Sequence, residues 1–324
     1  MARSPAGRAL MEWRGRPAGV RIPYGEVPAE IRGWVEGELG GEVTDVTPRV
    51  GGMSPAAAAT VQTADGERAF VKAVGPDINP DTASHFRHEC RVLMTLASVS
   101  YRADLLATYD DGEWVAIMLE DIDGGHPDLD DPADQARVLA VVQEQTRELL
   151  GTPDPSRQPT IAELASTLWL SALDNPSAED LASLPGWYRD RRDELRAFTA
   201  AGIALFVEDT FCNFDVRYDN LLIRPRSRQP VIVDWGQSRI GPRWIDTLVF
   251  GLDWADQTVF DEVVGTLDLD TDEEHAVTAF LTGFGGRLAM MATQPAPPGL
   301  PRLPEFRRDV AARCLAGARR RLGL

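Results

Sequence analysis

The chain has 324 residues, 44% hydrophobic and 26% charged, enough apolar material for two lobes with cores of their own. Fifty Asp and Glu against 33 Lys and Arg give a formal charge of -17, which argues against nucleic acid as a partner, because phosphate backbones need basic patches. The same charge suits a cationic ligand, whose approach it would favour, or serves only to keep the protein in solution. No apolar run reaches the roughly 18 residues of a membrane helix. Cys90, Cys212 and Cys314 are too few and too widely spaced for a disulfide framework or a zinc site.

Residues 1–22 read as an N-terminal extension whose basic start lacks the apolar core of a secretion signal, so a cytoplasmic location is expected. The stretch Arg49, Val50, Gly51, Gly52, Met53, Ser54 contains a glycine pair, which lets a backbone approach a phosphate closely and equally makes a plain hairpin turn. It is neither a Walker A loop nor G-x-G-x-x-G. Asp65 and Gly66 mark a turn before an apolar strand, 70–74, that carries one lysine, Lys72. Such a lysine either snorkels at an edge or serves a site. Asn79, Asp81 or Thr82 can cap the next helix, whose buried stripe is Ala83, Phe86, Cys90, Leu93 and Ala97. Glu89, at the edge of that stripe, can reach inward to Lys72 or stay solvated and pair with Arg91. Residues 115–121 form a buried strand ending in Glu120 and Asp121.

The rest of the chain is mainly helical. Asp131 and Pro132 open a helix through Val138, Val141, Val142, Gln145 and Leu149 that stops at Gly151. Thr160 and Glu163 make a capping box before Leu164, Leu168 and Trp169. Pro176, Pro185 and Gly186 interrupt the pattern, which resumes over 187–198. Asp215 and Asn220 then stand five positions apart on a tight loop. Asp215 can accept a hydroxyl proton while Asn220 offers an amide oxygen to a metal. An apolar strand after Asn220, a turn over 224–230 and a strand over 231–233 would return Asp234 to its side. Two oxygen ligands suit Mg²⁺, which keeps several waters and takes one or two protein oxygens plus substrate phosphates. Asp246 can cap a helix over 247–252, with Asp253 and Asp256 following on it. The acidic run 268–274 has Glu273 where a calcium-binding loop needs glycine, so Thr271 and Glu274 are better read as a capping box ahead of Val277, Phe280 and Leu281. Residues 295–299 form a rigid loop, and the arginines clustered over 307–321 fit the last turns of a terminal helix.

The ordered set Lys72, Glu89, Asp215, Asn220 and Asp234, with the Asp234, Trp235, Gly236 turn, resembles the aminoglycoside phosphotransferase-like kinases over most of the chain. That resemblance implies an α+β, bilobal protein-kinase-like fold: a small antiparallel β-sheet lobe with one helix, and a larger, mainly helical lobe. The expected division is 1–22 extension, 23–120 nucleotide-binding lobe and 121–324 catalytic and acceptor-binding lobe. It also implies roles: Lys72, held by Glu89, on the nucleotide phosphates, Gly51, Gly52 and Ser54 in the loop covering them, and Glu120 at the hinge beside the base. Asp215 would be the catalytic base and Asn220 with Asp234 the Mg²⁺ ligands. Asp246 would buttress the catalytic loop, and Arg217 would meet a phosphate or anchor Asp246. The sequence departs from the family pattern at Asn213, where the family carries His; Asn213 is expected to hold loop backbone through its amide. Asp253 and Asp256 would line an acceptor pocket or face water.

The implied activity is transfer of the terminal phosphate of ATP, with GTP open, to a hydroxyl of a small molecule. An aminoglycoside or other antibiotic leads, which would make the protein a resistance enzyme. A metabolic aminosugar or choline-like kinase, or a nucleotide-binding pseudokinase motivated by Asn213, are the alternatives. The protein would act as a monomer or homodimer, with neither nucleic acid nor membrane as a partner.

Overall fold

The computed structural model describes residues 19–174 and 176–324, so the expected N-terminal extension lies outside the described residues up to position 18, as does its basic start. Contacts divide the chain into two compact units. The first runs to Val141 and takes in Arg217–Ser238 and Pro297–Pro301; the second comprises Val142–Val216, Arg239–Ala296 and Arg302–Leu324.

The first unit is built on helix α1 (Ala29–Leu39) and five strands: β1 (Val43–Pro48), β2 (Ala57–Thr63), β3 (Arg68–Val74), β4 (Leu105–Asp110) and β5 (Val115–Leu119). The strands form one antiparallel sheet in the order β1-β2-β3-β5-β4, and helix α2 (Pro80–Leu93) connects β3 to β4. Successive strand side chains point to opposite faces, which decides the fate of β3. Ala69, Val71 and Ala73 join Ile31 and Val35 of α1 in the core, while Phe70 and Lys72 turn to a cavity on the other face. The Asp65, Gly66 turn forms with Gly66 at φ 91°, a conformation that favours glycine. A short hairpin, Leu221–Ile223 paired with Pro230–Ile232, completes the unit.

Of the three candidate caps of α2, Asn79 is the one used. Its side chain accepts the Thr82 N–H at 3.0 Å, and its amide donates to the Pro298 carbonyl at 2.9 Å. Ala83, Phe86, Cys90 and Leu93 are buried as the stripe requires. Ala97 is not part of it: the helix ends at Leu93 and Ala97 is exposed. The Thr95 hydroxyl bonds back to the Arg91 carbonyl at 2.7 Å and the Val92 carbonyl at 3.0 Å, two of the acceptors at the end of the helix.

The second unit is mainly helical. The division between the units falls within α3 (Pro132–Glu148); after it come α4 (Arg192–Ile203), α5 (Ile245–Gly251), α6 (Thr258–Gly265), α7 (Thr271–Met291) and α8 (Leu303–Arg321). The Thr160 and Glu163 capping box forms, and its helix continues through a wide turn over Ala165–Leu170. The helix expected over 187–198 is two: a turn at Gly186–Arg189, then α4, because Arg191 leaves helical geometry at φ -119° and ψ 17°. The box at the start of α7 lies one residue earlier than expected. Asp270 and Glu273 exchange the two bonds, at 2.9 and 3.2 Å, while Glu274 is taken by Arg321. The terminal arginines are structural: Arg321 also reaches Asp261 at 3.2 Å, and Arg320 donates to the carbonyls of Ala255 and Gln257. Trp169 and Phe280 meet edge-on at 5.1 Å, and Phe206 meets Trp244 at 5.3 Å. Gly285 lets α7 and α8 touch, since a Cβ there would lie 2.8 Å from the Cβ of Cys314. Among the described residues no helix is long and apolar enough to cross a membrane.

Replacing Asn79 by alanine removes the cap of α2 and its tie to Pro298. A loss of about 1 kcal/mol in urea-unfolding stability is expected; an unchanged midpoint would mean that the cap contributes nothing.

Candidate active site

In the first unit Lys72 and Glu89 are both buried and form an ion pair. Burial pulls the lysine down, but the carboxylates of Asp234 and then Glu89 outweigh it and hold Lys72 above its ordinary value. Burial likewise pushes the Glu89 carboxyl up, against the pull of Lys72. Lys72 also lies 4.8 Å from the ring centre of Phe86, one turn before Glu89 on α2.

Asp234 follows the short hairpin, which the Val233 N–H ties to the Asn220 carbonyl at 2.9 Å. Its backbone is left-handed, at φ 63°. A non-glycine residue is held there only where its surroundings fix it, and here they do. The Asp234 carboxylate accepts the Gly236 N–H at 3.2 Å. Ser238 returns its hydroxyl to the Trp235 carbonyl at 2.7 Å, and the buried His88 ring meets the Ser238 carbonyl at 2.7 Å. The guanidinium of Arg102 lies 4.7 Å from the ring centre of Trp235. Burial would raise the Asp234 carboxyl, but Lys72, the Gly236 N–H, Arg217 and His85 together bring it below the usual value, so it is ionised at neutral pH.

Lys72, Asn220 and Asp234 line one cavity of about 310 Å³ together with Gly51, Gly52, Ser54 and Glu120. Gly51 and Gly52 both adopt positive φ, 101° and 74°. The carboxylate of Glu120 is forked by Arg224, with one bond at 2.8 Å, and this bond holds it below the usual range. Its N–H is given to the Asp104 carbonyl at 2.8 Å. Arg217 pairs with Asp219 at 3.3 Å.

The second unit holds Asn213, Asp215 and Asp246. Asp246 is the second residue of α5, not its cap; Trp244 takes that place. The reason is visible in its bonds. The carboxylate accepts the N–H groups of Asn213 at 2.9 Å and Phe214 at 2.8 Å, and the Gln145 amide at 3.0 Å. Asn213 is buried, and its Oδ1 accepts the Asp215 N–H at 3.0 Å. Phe214 between them is left-handed at φ 60°, with the Arg239 guanidinium 5.5 Å from its ring centre. The loop that presents Asp215 is thus held by side-chain acceptors on its backbone. Cys212, buried beside it, has its thiol pushed well up by burial and is not a nucleophile. Asp253 is paired with Arg313 at 3.5 Å, and Asp256, beyond the end of α5, is exposed.

A profile described as the phosphotransferase enzyme family, APH, matches residues 45–281. The chain belongs to this family. Its members' chemistry makes it a small-molecule kinase with the protein-kinase-like fold. Similar solved structures include a thermostable mutant of aminoglycoside phosphotransferase APH(4)-Ia in ternary complex with ADP and hygromycin B, at 11% identity and TM-score 0.60, covering 90% of this chain and 98% of that one. Choline kinase LicA from Streptococcus pneumoniae is 14% identical, TM-score 0.61, over 89% and 98% of the two chains. Amicoumacin kinase hAmiN, in complex with AMP-PNP, Ca²⁺ and Ami, is 11% identical, TM-score 0.51, over 89% and 96%. No curated protein matches by sequence.

Four further features of the family site escaped the sequence reading. His88, bonded to Ser238, and Arg102, over Trp235, fasten the turn that follows Asp234. Asp121 accepts from Arg49, Arg68 and Thr60 at 3.1, 2.6 and 2.6 Å and ties the glycine loop to the end of β5. Arg21 lines the cavity from 30 residues before the glycine pair. Only His88 carried a signal, as a neighbour of Glu89 on the same helix.

Burial raises the Asp246 carboxyl from 3.8 to about 6, against the bonds from Phe214, Asn213 and Gln145. Between those values the native state holds a proton that the unfolded chain has released, so this group's contribution to stability falls as pH rises from about 4 to about 6. Asp246→Asn should flatten that part of the pH dependence of the urea midpoint. It should also lower stability throughout, because an amide NH₂ would oppose a backbone N–H. Parallel curves for the two proteins would contradict the assignment.

Proposed function

We propose that the protein transfers the terminal phosphate of Mg²⁺-ATP to a hydroxyl of a small molecule, with a cationic antibiotic of the aminoglycoside type as the leading acceptor. The observation that carries this reading is the cavity in which Lys72, fixed by Glu89, faces the ionised Asp234 with Asn220 beneath a glycine-pair loop. Such a site has the charges that phosphoryl transfer needs, because its transition state calls for positioning and neutralisation rather than covalent help from the protein.

In this reading Lys72 holds the nucleotide's phosphates and the glycine loop covers them. Glu120 has its N–H and carboxylate engaged, which leaves its carbonyl as the group to offer a base amino group. The donor set fits a hard divalent cation: an ionised carboxylate and an amide oxygen at one cavity, with phosphate and water oxygens to fill the remaining positions. When bound, Mg²⁺ would neutralise the charge developing on the phosphate oxygens. Asn220 and Asp234 would hold it, and Asp215, on the loop braced by Asn213 and Asp246, would orient the acceptor hydroxyl and take its proton. The net charge of -17 supports a cationic acceptor. Asp253, neutralised by Arg313, offers it less than the exposed Asp256 does. The lack of any apolar span among the described helices is compatible with a cytoplasmic enzyme.

The test is ADP release from Mg²⁺-ATP against a panel of aminoglycosides, aminosugars and small alcohols. Acceptor-dependent release is expected, with kcat lowered about 100-fold or more by Asp215→Ala and by Asp234→Ala. Release that both variants retain would remove the site. Nucleotide binding without release on any acceptor would favour the pseudokinase and point to Asn213.

A further inference from the structure

Residues 19–22 run along the glycine-pair loop as a clasp. The Gly19 N–H donates to the Gly52 carbonyl and the Ile22 N–H to the Ala56 carbonyl, both at 3.3 Å, and Arg21 pairs in parallel with Ala56. On the other side the Val20 N–H is held by the Gly299 carbonyl at 2.8 Å. A Cβ on Gly19 would lie 2.8 Å from the Met53 carbonyl oxygen, so the approach requires glycine.

From this clasp the Arg21 side chain crosses the loop. Nη1 donates to the Ser54 carbonyl and Nη2 to the Gly51 carbonyl, bracketing the loop from within. Gly52 makes room for it, since a Cβ there would sit 2.9 Å from Nη2. The guanidinium lines the same cavity as Lys72, Asn220 and Asp234 and lies in the field of Asp234 and Asp219. A guanidinium has five N–H donors. Two are spent on the loop, and Nε–H is buried with no acceptor among the described residues. The Nη–H groups not spent on the loop are the ones left to offer a ligand, and phosphate oxygens match the fork of a guanidinium better than any other group expected in this cavity.

We infer that Arg21 is the second cation of the phosphate subsite, holding the nucleotide's outer phosphates opposite Lys72 while it braces the loop that covers them. This rests on the kinase reading above and deepens it. It also accounts for the clasp: a loop that closes over phosphate gains a charge fixed to its own carbonyls, so loop position and phosphate binding become one event.

The test is calorimetric titration of wild type, Arg21→Lys and Arg21→Gln with adenosine, AMP, ADP and ATP in the presence of Mg²⁺. Loss of a charged donor should weaken ATP about tenfold or more in Arg21→Gln, ADP less, and AMP and adenosine within about twofold, with Arg21→Lys recovering part of the loss. That gradation with phosphate number is what a purely structural brace would not produce. Equal weakening of all four ligands, or none, overturns the assignment alone. A wild type that binds none of them overturns the kinase reading and the assignment with it. Far-UV circular dichroism checks that each variant is folded, and Arg21→Lys carries the comparison if Arg21→Gln is not.

Discussion

A buried ammonium is the constraint around which the first unit is arranged. Keeping Lys72 charged inside protein is costly, and two carboxylates, Glu89 and Asp234, offset that cost. Each must then be held in turn. Glu89 is placed by α2, whose entry is fixed by Asn79. Asp234 is placed by a left-handed backbone that His88, Ser238 and the Arg102–Trp235 stack keep in position. Sheet, helix and hairpin are thus tied to a single charge, and a nucleotide would meet that charge already oriented. Such preorganisation is what electrostatic stabilisation of phosphoryl transfer depends on.

The second unit meets a different demand with the same device. A tight loop exposes backbone donors, and Asp246 accepts two of them while Asn213 accepts a third. Asn213 stands where the family pattern has histidine. An amide oxygen can accept the Asp215 N–H as a ring nitrogen could, so the substitution keeps the bond that orients the loop. The cost falls on Asp246, whose carboxyl is raised by burial and pairs with no cation among the described residues.

How much could be read from the chain follows from how far each interaction reaches. Lys72 and Glu89 were legible because strand and helix periods place each on a definite face, and Asn220 and Asp234 because a hairpin of predictable length joins them. Asn79 and the Thr160 box were legible as local capping chemistry. Where two local solutions compete, the sequence alone chose the wrong neighbour. Asp270 displaced Thr271 because Glu274 is taken by Arg321, whereas for Asp246 both roles were on offer and the bracing of the 213–215 loop, not the cap of α5, is the one that forms. Arg21 and Arg102 were not legible at all, and Asp121 only as the acidic end of a strand, since their partners lie far along the chain. Arg21 and Asp121 line the cavity, while Arg102 acts behind it on Trp235.

The most direct measurement is a double-mutant cycle on Mg²⁺-ATP affinity with Lys72→Met, Glu89→Gln and the pair, read by titration calorimetry. If Glu89 acts on the nucleotide through Lys72, the losses are strongly non-additive, with a coupling of about 1–3 kcal/mol and a double variant little worse than Lys72→Met. Additive losses would mean that the two residues bind nucleotide independently, and would contradict a phosphate site organised around one buried ion pair.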